Sequence, residues 1–174
     1  MRKQDALKKA YEANIRKLDY IYCHYKKFDY SILNNIYYYF RAGREKVTIN
    51  DVIIMADTET SKKAPDEEVI DSHGRLVYKT QENHVVAWTI SIRAFHKNIC
   101  TLYGRQPSSM TKAMLRIHEH MHGMQTIFYF HNLSYDQWFL RRFWYALYGN
   151  PIHQLNTKSH YPIYIEFAII LSFV

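Results

Sequence analysis

The spacing of apolar positions along the chain changes near residue 50. Before that point, apolar or aromatic side chains recur at helical spacing from Leu7 to Tyr25, which predicts a first helix. After a break at Asp29, the same spacing from Ile32 to Phe40 predicts a second helix with Ser31 in the capping position. The first part of the chain is therefore expected to be a helical N-terminal extension.

Beyond residue 50, short apolar runs alternate with longer helical stretches. Strands are predicted from near Asp51, over His84 to Phe95, over Asn98 to Tyr103, over Thr126 to Phe130, and from Tyr161 to the end of the chain. Helices are predicted from Pro107 to Gly123 and from Tyr135 to Leu147. Polar residues 61–83, which include Pro65 and Gly74, predict a long exposed loop. This order predicts an α/β domain in which helices flank a mixed sheet.

Composition narrows the class of protein. The chain has 174 residues, 48% hydrophobic and 22% charged, which is typical of a globular domain with room for an extension. Its two cysteines, Cys23 and Cys100, are too few for a disulfide framework and fit a reducing cytoplasm. The charged N-terminus does not resemble a signal peptide, and no apolar run approaches the roughly 20 residues that span a bilayer. The expectation is a cytoplasmic protein without a membrane partner.

The positive charge is concentrated at one end of the chain. The formal net charge is +7, and residues 1–46 hold eleven Lys or Arg against five Asp or Glu. This basic extension is interpreted either as a segment that binds a polyanion or as a solvated helical pair packed on the domain. The 16 tyrosines leave two interpretations equally open, base stacking on single-stranded nucleic acid or coverage of a half-polar core.

Two carboxylates end the strand that begins near Asp51. Residues two apart on a strand project to the same face, so Asp57 and Glu59 are predicted to project together. A divalent cation is the usual reason for such crowding, because Mg²⁺ and Mn²⁺ prefer oxygen ligands. Asp136 follows a second apolar strand and is the predicted third ligand. Two such ions about 3.5 to 4 Å apart can drive phosphodiester hydrolysis; the alternative is a pair of solvent-facing acids.

The residues around these acids resemble two motifs of the 3′→5′ exonuclease domain of protein-primed family B DNA polymerases, the group found in bacteriophages and linear plasmids. The first motif, Asp-x-Glu-Thr after an apolar strand, is matched by residues 57–60. The second, Tyr-Phe-His-Asn-Leu-x-(Phe/Tyr)-Asp, is matched by residues 129–136, with Phe139 also in step. Trp88 occupies the expected apolar strand between them. The resemblance covers roughly residues 50 to 172.

The resemblance implies a ribonuclease H-like fold in residues 50–174. It implies that Asp57, Glu59 and Asp136 are catalytic ligands of Mg²⁺ or Mn²⁺ in a two-metal site. It also implies a set of residues that hold the 3′ end of single-stranded DNA: Thr60, His131, Asn132, Tyr135 and Phe139. For His131, a packed and hydrogen-bonded core histidine is an equally open interpretation. The family's third exonuclease motif and its polymerase domain are absent. We therefore expect an N-terminal fragment with weak or no catalysis alone, whose intact parent also binds terminal protein and the rest of the polymerase.

Two other functions are consistent with the sequence. Residues 118–122 match the zinc metalloprotease pattern H-E-x-x-H, in which His118 and His122 bind Zn²⁺ from one helical face and Glu119 acts as general base. The extended metzincin pattern is missing, and a polar face turned to water explains the same residues. The remaining alternative is a non-catalytic nucleic-acid-binding module that uses the basic N-terminal helices and the remains of the exonuclease groove. Its salt-sensitive binding would depend on four lysines: Lys8, Lys9, Lys26 and Lys27.

Overall fold

The structure, a computed structural model, describes residues 3–36, 52–62, 67–70, 72–79, 83–121, 126–156, 162–167 and 171–173. Its elements in chain order are α1 (Lys3–Lys17), β1 (Ile21–His24), α2 (Ile32–Ile36), β2 (Ile53–Lys62), β3 (Glu67–Ile70), β4 (Leu76–Lys79), β5 (Asn83–Ala94), β6 (Lys97–Gly104), α3 (Pro107–Glu119), β7 (Thr126–Phe130), α4 (Leu133–Tyr148), β8 (Pro151–Asn156), β9 (Pro162–Phe167) and β10 (Leu171–Phe173).

One mixed sheet organises the molecule. Its strand order is β1-β6-β5-β2-β7-β10-β9-β8, and β3 and β4 form a separate hairpin. Strand β2 lies near the centre, antiparallel to β5 on one side and parallel to β7 on the other. Helix α3 connects β6 to β7, and α4 follows β7. The predicted α/β class, a mixed sheet with flanking helices, is confirmed.

The core lies between the sheet and helices α3 and α4. On β2, Ile54 and Ala56 are buried whereas Ile53 and Met55 are exposed, because neighbouring side chains on a strand point to opposite faces. Strand β5 and the two helices supply further side chains to the same cluster: Trp88, Ile90, Ile92, Met110, Met114, Ile117, Leu140 and Trp144. Apolar spacing of two on the strands and of three or four on the helices therefore buries one face of each element.

The N-terminal segment contains a strand that the sequence does not predict. The helix predicted from Leu7 to Tyr25 ends at Lys17, and β1 pairs in parallel with β6, so the prediction is wrong for Tyr22 and Tyr25. The β6 edge supplies backbone donors and acceptors that β1 satisfies, which outweighs the helical spacing of the aromatic residues. Four side chains of this segment lie in the core cluster: Ile15, Phe28, Tyr30 and Leu33. The predicted helical positions Tyr37 and Phe40 lie outside the described residues.

Two further stretches differ from the prediction. Residues 61–83, predicted as a loop, contain the end of β2 and the β3–β4 hairpin, whose turn includes Gly74 at a φ of +74°. The strand predicted from Tyr161 onward is instead the antiparallel pair β9 and β10, and β8 precedes it. Strands β5, β6 and β7 and helices α3 and α4 are confirmed, with α3 ending four residues before Gly123. In the described part of the chain, no helix combines the length and apolarity needed to cross a bilayer.

Candidate functional site

The two sequence motifs meet at one edge of the sheet. Strands β2 and β7 run parallel, with Ile54 opposite Phe128 and Ala56 opposite Phe130. Both strands therefore point their carboxyl ends to the same side, where β2 continues to Lys62 and the chain after β7 turns into α4. This topology places residues 57–60 beside the start of α4.

The buried carboxylate of Asp136 is held by β2. The Thr58 hydroxyl donates a hydrogen bond to Oδ1 of Asp136, and the Asp136 side chain is 2% exposed. Burial raises the pKa of Asp136 to about 6; the Thr58 hydrogen bond opposes this rise, and the charge of Asp57 adds to it. Asp136 therefore titrates much nearer neutrality than an ordinary aspartate.

A second bond joins the same elements nearer the surface. The hydroxyl oxygens of Thr60 and Tyr135 lie 2.7 Å apart, and Nδ2 of Asn83 donates to the Tyr135 oxygen at 3.4 Å. Asn132 caps α4, because its Oδ1 accepts a hydrogen bond from the backbone N–H of Tyr135 at 3.2 Å. The Tyr135 ring meets Phe139 edge to face with 5.3 Å between centroids. Four of the five residues predicted to hold DNA thus form one connected group.

His131, Asp57 and Glu59, the other predicted site residues besides Asp136, do not belong to this connected group. His131 is exposed at the end of β7. On β2, Thr58 faces α4, so strand alternation directs Asp57 and Glu59 to the opposite face, where Asp57 is partly exposed and Glu59 is exposed. Asp57 is nevertheless near enough for its charge to affect Asp136.

Donor chemistry and position decide whether the three acids can form one metal site. Carboxylate oxygens suit Mg²⁺ or Mn²⁺. The described residues, however, include no group of three or more His, Cys, Asp or Glu side chains placed to hold one ion. The donor chemistry fits the predicted metals, but this arrangement does not gather the three carboxylates into one ligand set. The two-metal site stays a prediction.

The alternative zinc motif lies at the end of α3. The helix ends at Glu119, and His122 lies outside the described residues. Nδ1 of His118 is 2.9 Å from the Thr126 hydroxyl, and burial lowers the pKa of this imidazole. The contact with Thr126 joins α3 to β7, so His118 has a structural role that does not involve zinc.

A groove beside α4 contains residues that sequence reasoning did not single out. It has a volume of about 810 Å³ and borders the Thr60–Tyr135 contact, and we call it the α4 groove. Besides Tyr135 and Phe139, its lining includes Trp138, Arg141 and Arg142. The spacing of Tyr135, Trp138, Phe139 and Arg142 is that of one helical face, which is the sequence signal that could have identified it.

Basic side chains also line a second cavity, between the N-terminal segment and α3. Its volume is about 690 Å³, and its lining includes Lys26, Lys112 and Arg116 together with the acidic Glu119. Lys9 and Lys27, two other lysines expected to bind a polyanion, are exposed.

Comparison of the chain with family models, curated proteins and solved structures finds no match.

Proposed function

We propose that this chain is the 3′→5′ exonuclease-type domain of a protein-primed family B DNA polymerase, which binds the 3′ end of single-stranded DNA and removes nucleotides from it. The observation that carries the proposal is the pair of contacts between the two motifs. Thr58 bonds to Asp136, and Thr60 bonds to Tyr135, across separations of 78 and 75 residues. Two short motifs that resemble parts of one active site are thereby adjacent in space.

The sheet topology supports the ribonuclease H-like fold that the proposal requires. Strands β6, β5 and β2 form an antiparallel meander. Strands β7 and β10 then add in parallel on the other side of β2, with a helix before and after β7. A three-stranded meander extended in parallel from its first strand is the arrangement of ribonuclease H-like domains. Their catalytic acids cluster at the carboxyl end of that first strand, which here carries residues 57–60.

The connected polar and aromatic group suits the terminal nucleotide. The hydroxyl groups of Thr60 and Tyr135 offer hydrogen bonds to a sugar or a phosphate. The faces of Tyr135 and Phe139 offer surfaces on which a base can stack. Asn132 fixes the first turn of α4 and thereby the position of Tyr135. In the proposed role His131, exposed beside Asn132, contacts the same strand of DNA.

Asp57, Glu59 and Asp136 are the proposed catalytic acids. Mg²⁺ or Mn²⁺, when bound, would supply activation of water and stabilisation of the leaving oxygen. What this chain contributes by itself is the placement of Asp136 by Thr58 and the negative charge of Asp57 beside it. In the intact parent we propose that terminal protein and the polymerase domain are partners, in the cytoplasm of the host cell.

Incubation of the purified chain with single-stranded DNA labelled at its 5′ end tests this function. With Mn²⁺, products should shorten stepwise from the 3′ end, and a 3′-terminal phosphorothioate linkage should slow the first step. Asp57→Asn and Asp136→Asn should abolish the shortening. Asp19→Asn, which changes an exposed acid near the end of α1, is the matched control and should leave it intact. Equal degradation by Asp57→Asn and the unmodified chain would refute the assignment.

A second candidate function is supported by the way Asp136 is held. Its carboxylate is buried and engaged by Thr58, and the described residues contain no ready group of three metal ligands. These features suit a module that binds single-stranded nucleic acid without cutting it. Tight, salt-sensitive binding without any shortening of the DNA in Mn²⁺ or Mg²⁺ would favour this function over the exonuclease.

A further inference from the structure

We infer that the α4 groove binds the nucleotides that lie on the 5′ side of the 3′-terminal nucleotide, through stacking on Trp138 and phosphate contacts to Arg141 and Arg142. This inference deepens the proposed function and depends on it for the direction of the strand. Tyr135, where the terminal nucleotide is proposed to lie, lines the groove together with Trp138 and Arg142, which are three and seven residues further along α4. If the 3′-terminal nucleotide lies at Tyr135, the nucleotides in the rest of the groove are those on its 5′ side.

Trp138 supplies the stacking surface. It is 57% exposed, more than the other exposed aromatic side chains of α4, Tyr135 at 37% and Tyr145 at 38%, whereas Leu140 and Trp144 on the same helix are completely buried. The guanidinium carbon of Arg141 lies 4.7 Å from the centroid of the Trp138 ring. An arginine stacked on an indole holds that ring in place and adds a positive charge beside it. Base stacking on such a ring tolerates any sequence, because every base has a π-face.

The charge of the groove is complementary to a nucleic acid backbone. Arg141 and Arg142 both line it, and no acidic side chain is present among the described residues of the lining. Asp136 lies on the same helix but is buried against Thr58, so its charge does not face the groove. Asn83 contributes a neutral donor at the end near Tyr135. A polyanion with planar rings satisfies both the aromatic and the cationic side chains.

The length of the groove suits a short run of nucleotides. Tyr135 and Arg142 are seven residues apart on α4, about 10 Å along the helix axis. That distance corresponds to roughly three stacked bases at 3.4 Å each. A duplex does not present its base faces to an exposed indole. The groove should therefore select single strands.

Fluorescence anisotropy tests the inference by measuring the affinity for labelled oligothymidylate and for a duplex of equal length. Both measurements are made in EDTA so that no hydrolysis occurs. Trp138→Ala should weaken single-strand binding by roughly 5- to 150-fold, and Trp138→Phe, which keeps a ring, should retain most of the binding. The double change Arg141→Gln with Arg142→Gln should reduce the slope of log K against log salt by about 1.4, since each phosphate contact contributes about 0.7.

Matched controls separate the groove from other exposed residues. Tyr20→Ala removes an exposed aromatic side chain elsewhere, and Arg105→Gln removes an exposed arginine outside the α4 groove; neither should change binding. Circular dichroism and thermal melting verify that each variant is folded. Three results would overturn the inference. The first is unchanged binding in Trp138→Ala and in the arginine double variant, and the second is equal affinity for single-stranded and duplex DNA. The third is loss of binding in Lys26→Gln with Lys27→Gln while the groove variants bind normally.

The inference and the proposed function can fail separately. If Asp57→Asn abolishes shortening of DNA while the groove variants bind normally, the exonuclease function stands and the groove inference is wrong. If the groove variants lose binding but no variant affects hydrolysis in Mn²⁺, the groove binds single strands and the exonuclease function is wrong.

Discussion

Thr58 on β2 donates a hydrogen bond to the carboxylate of Asp136 on α4, 78 residues later in the chain. Both side chains are buried, at 8% and 2% exposure. The bond supplies a partner for a charge that water cannot reach, and it links the central strand to the helix that carries the α4 groove. Because a buried carboxylate without a partner is costly, this contact should matter for both stability and site geometry.

Replacement of Thr58 by valine should destabilise the protein. Thr58→Val keeps the side-chain shape but removes the hydroxyl, so Asp136 loses its donor, and the free energy of unfolding should fall by about 1 to 3 kcal/mol. Urea denaturation measures the change. Thr60→Val removes a hydroxyl from the more exposed bond to Tyr135 and should cost about 1 kcal/mol or less. An equal loss in both variants would contradict the importance of the buried bond.

The raised pKa of Asp136 makes stability depend on pH. Its folded-state pKa of about 6 exceeds the ordinary value of 3.8, so folding favours the protonated form. The stability from this group is complete below about pH 4 and is lost as pH rises through 6, with a total of roughly 3 kcal/mol. In metal-free buffer, the stability of the unmodified chain relative to Asp136→Asn should fall across this window. A relative stability that rises with pH would refute the burial argument.

Gly104 should not tolerate alanine. A Cβ atom at this position would clash with the Trp88 ring, 2.6 Å from its Cε2 atom, and this ring is fully buried. The indole N–H donates to the Gln106 carbonyl and to the Ser109 hydroxyl, both at 3.0 Å, which restricts movement of the ring. Gly104→Ala should cost about 1 to 3 kcal/mol or more, measured by denaturant unfolding.

The double variant Gly104→Ala with Trp88→Phe tests that explanation. The smaller phenylalanine ring relieves the clash with alanine. The loss of unfolding free energy in the double variant should therefore be smaller than the sum of the losses in Gly104→Ala and Trp88→Phe alone. Strict additivity would show that the alanine acts through something other than Trp88.

Phe173 on β10 should contribute strongly to stability. Its ring stacks on Trp144 with 4.2 Å between centroids, and it also contacts Phe128 and Phe167. Phe173→Ala should lower the free energy of unfolding by about 3 to 5 kcal/mol. Leu155→Ala, at an exposed position on β8, should change it by less than about 1 kcal/mol. A small effect of Phe173→Ala would show that β10 is dispensable for the core.

The strongly patterned elements could be predicted from the sequence. In β5, the alternating apolar positions Val86, Trp88, Ile90 and Ile92 predict one buried face; the last three are buried, whereas Val86 is 40% exposed. In α3, Pro107 begins the helix and the apolar spacing of Met110, Met114 and Ile117 marks its inner face. In such segments local preference and tertiary packing agree, and the correct element follows.

The elements that the sequence does not predict depend on contacts distant in the chain. Strand β1 exists because β6 offers it an edge, and no local pattern in residues 21–24 records that edge. The direction in which Asp57 and Glu59 project depends on whether the odd-numbered or the even-numbered side chains of β2 are buried. Ile53 and Met55 are as apolar as Ile54, so the sequence does not say which set is buried. Burial of Ile54 and Ala56 turns Thr58 toward α4 and leaves Asp57 on the opposite face.

The pairing of β1 with β6 has a practical consequence for the basic N-terminal residues. Removing residues 1–46 would leave the outer backbone amides and carbonyls of β6 without their β1 partner. It would also remove Ile15 and Leu33 from the hydrophobic core and expose the apolar side chains that they cover. A bare edge beside uncovered apolar surface invites strand-to-strand association, so such a truncation should oligomerise or precipitate, whatever its affinity for DNA.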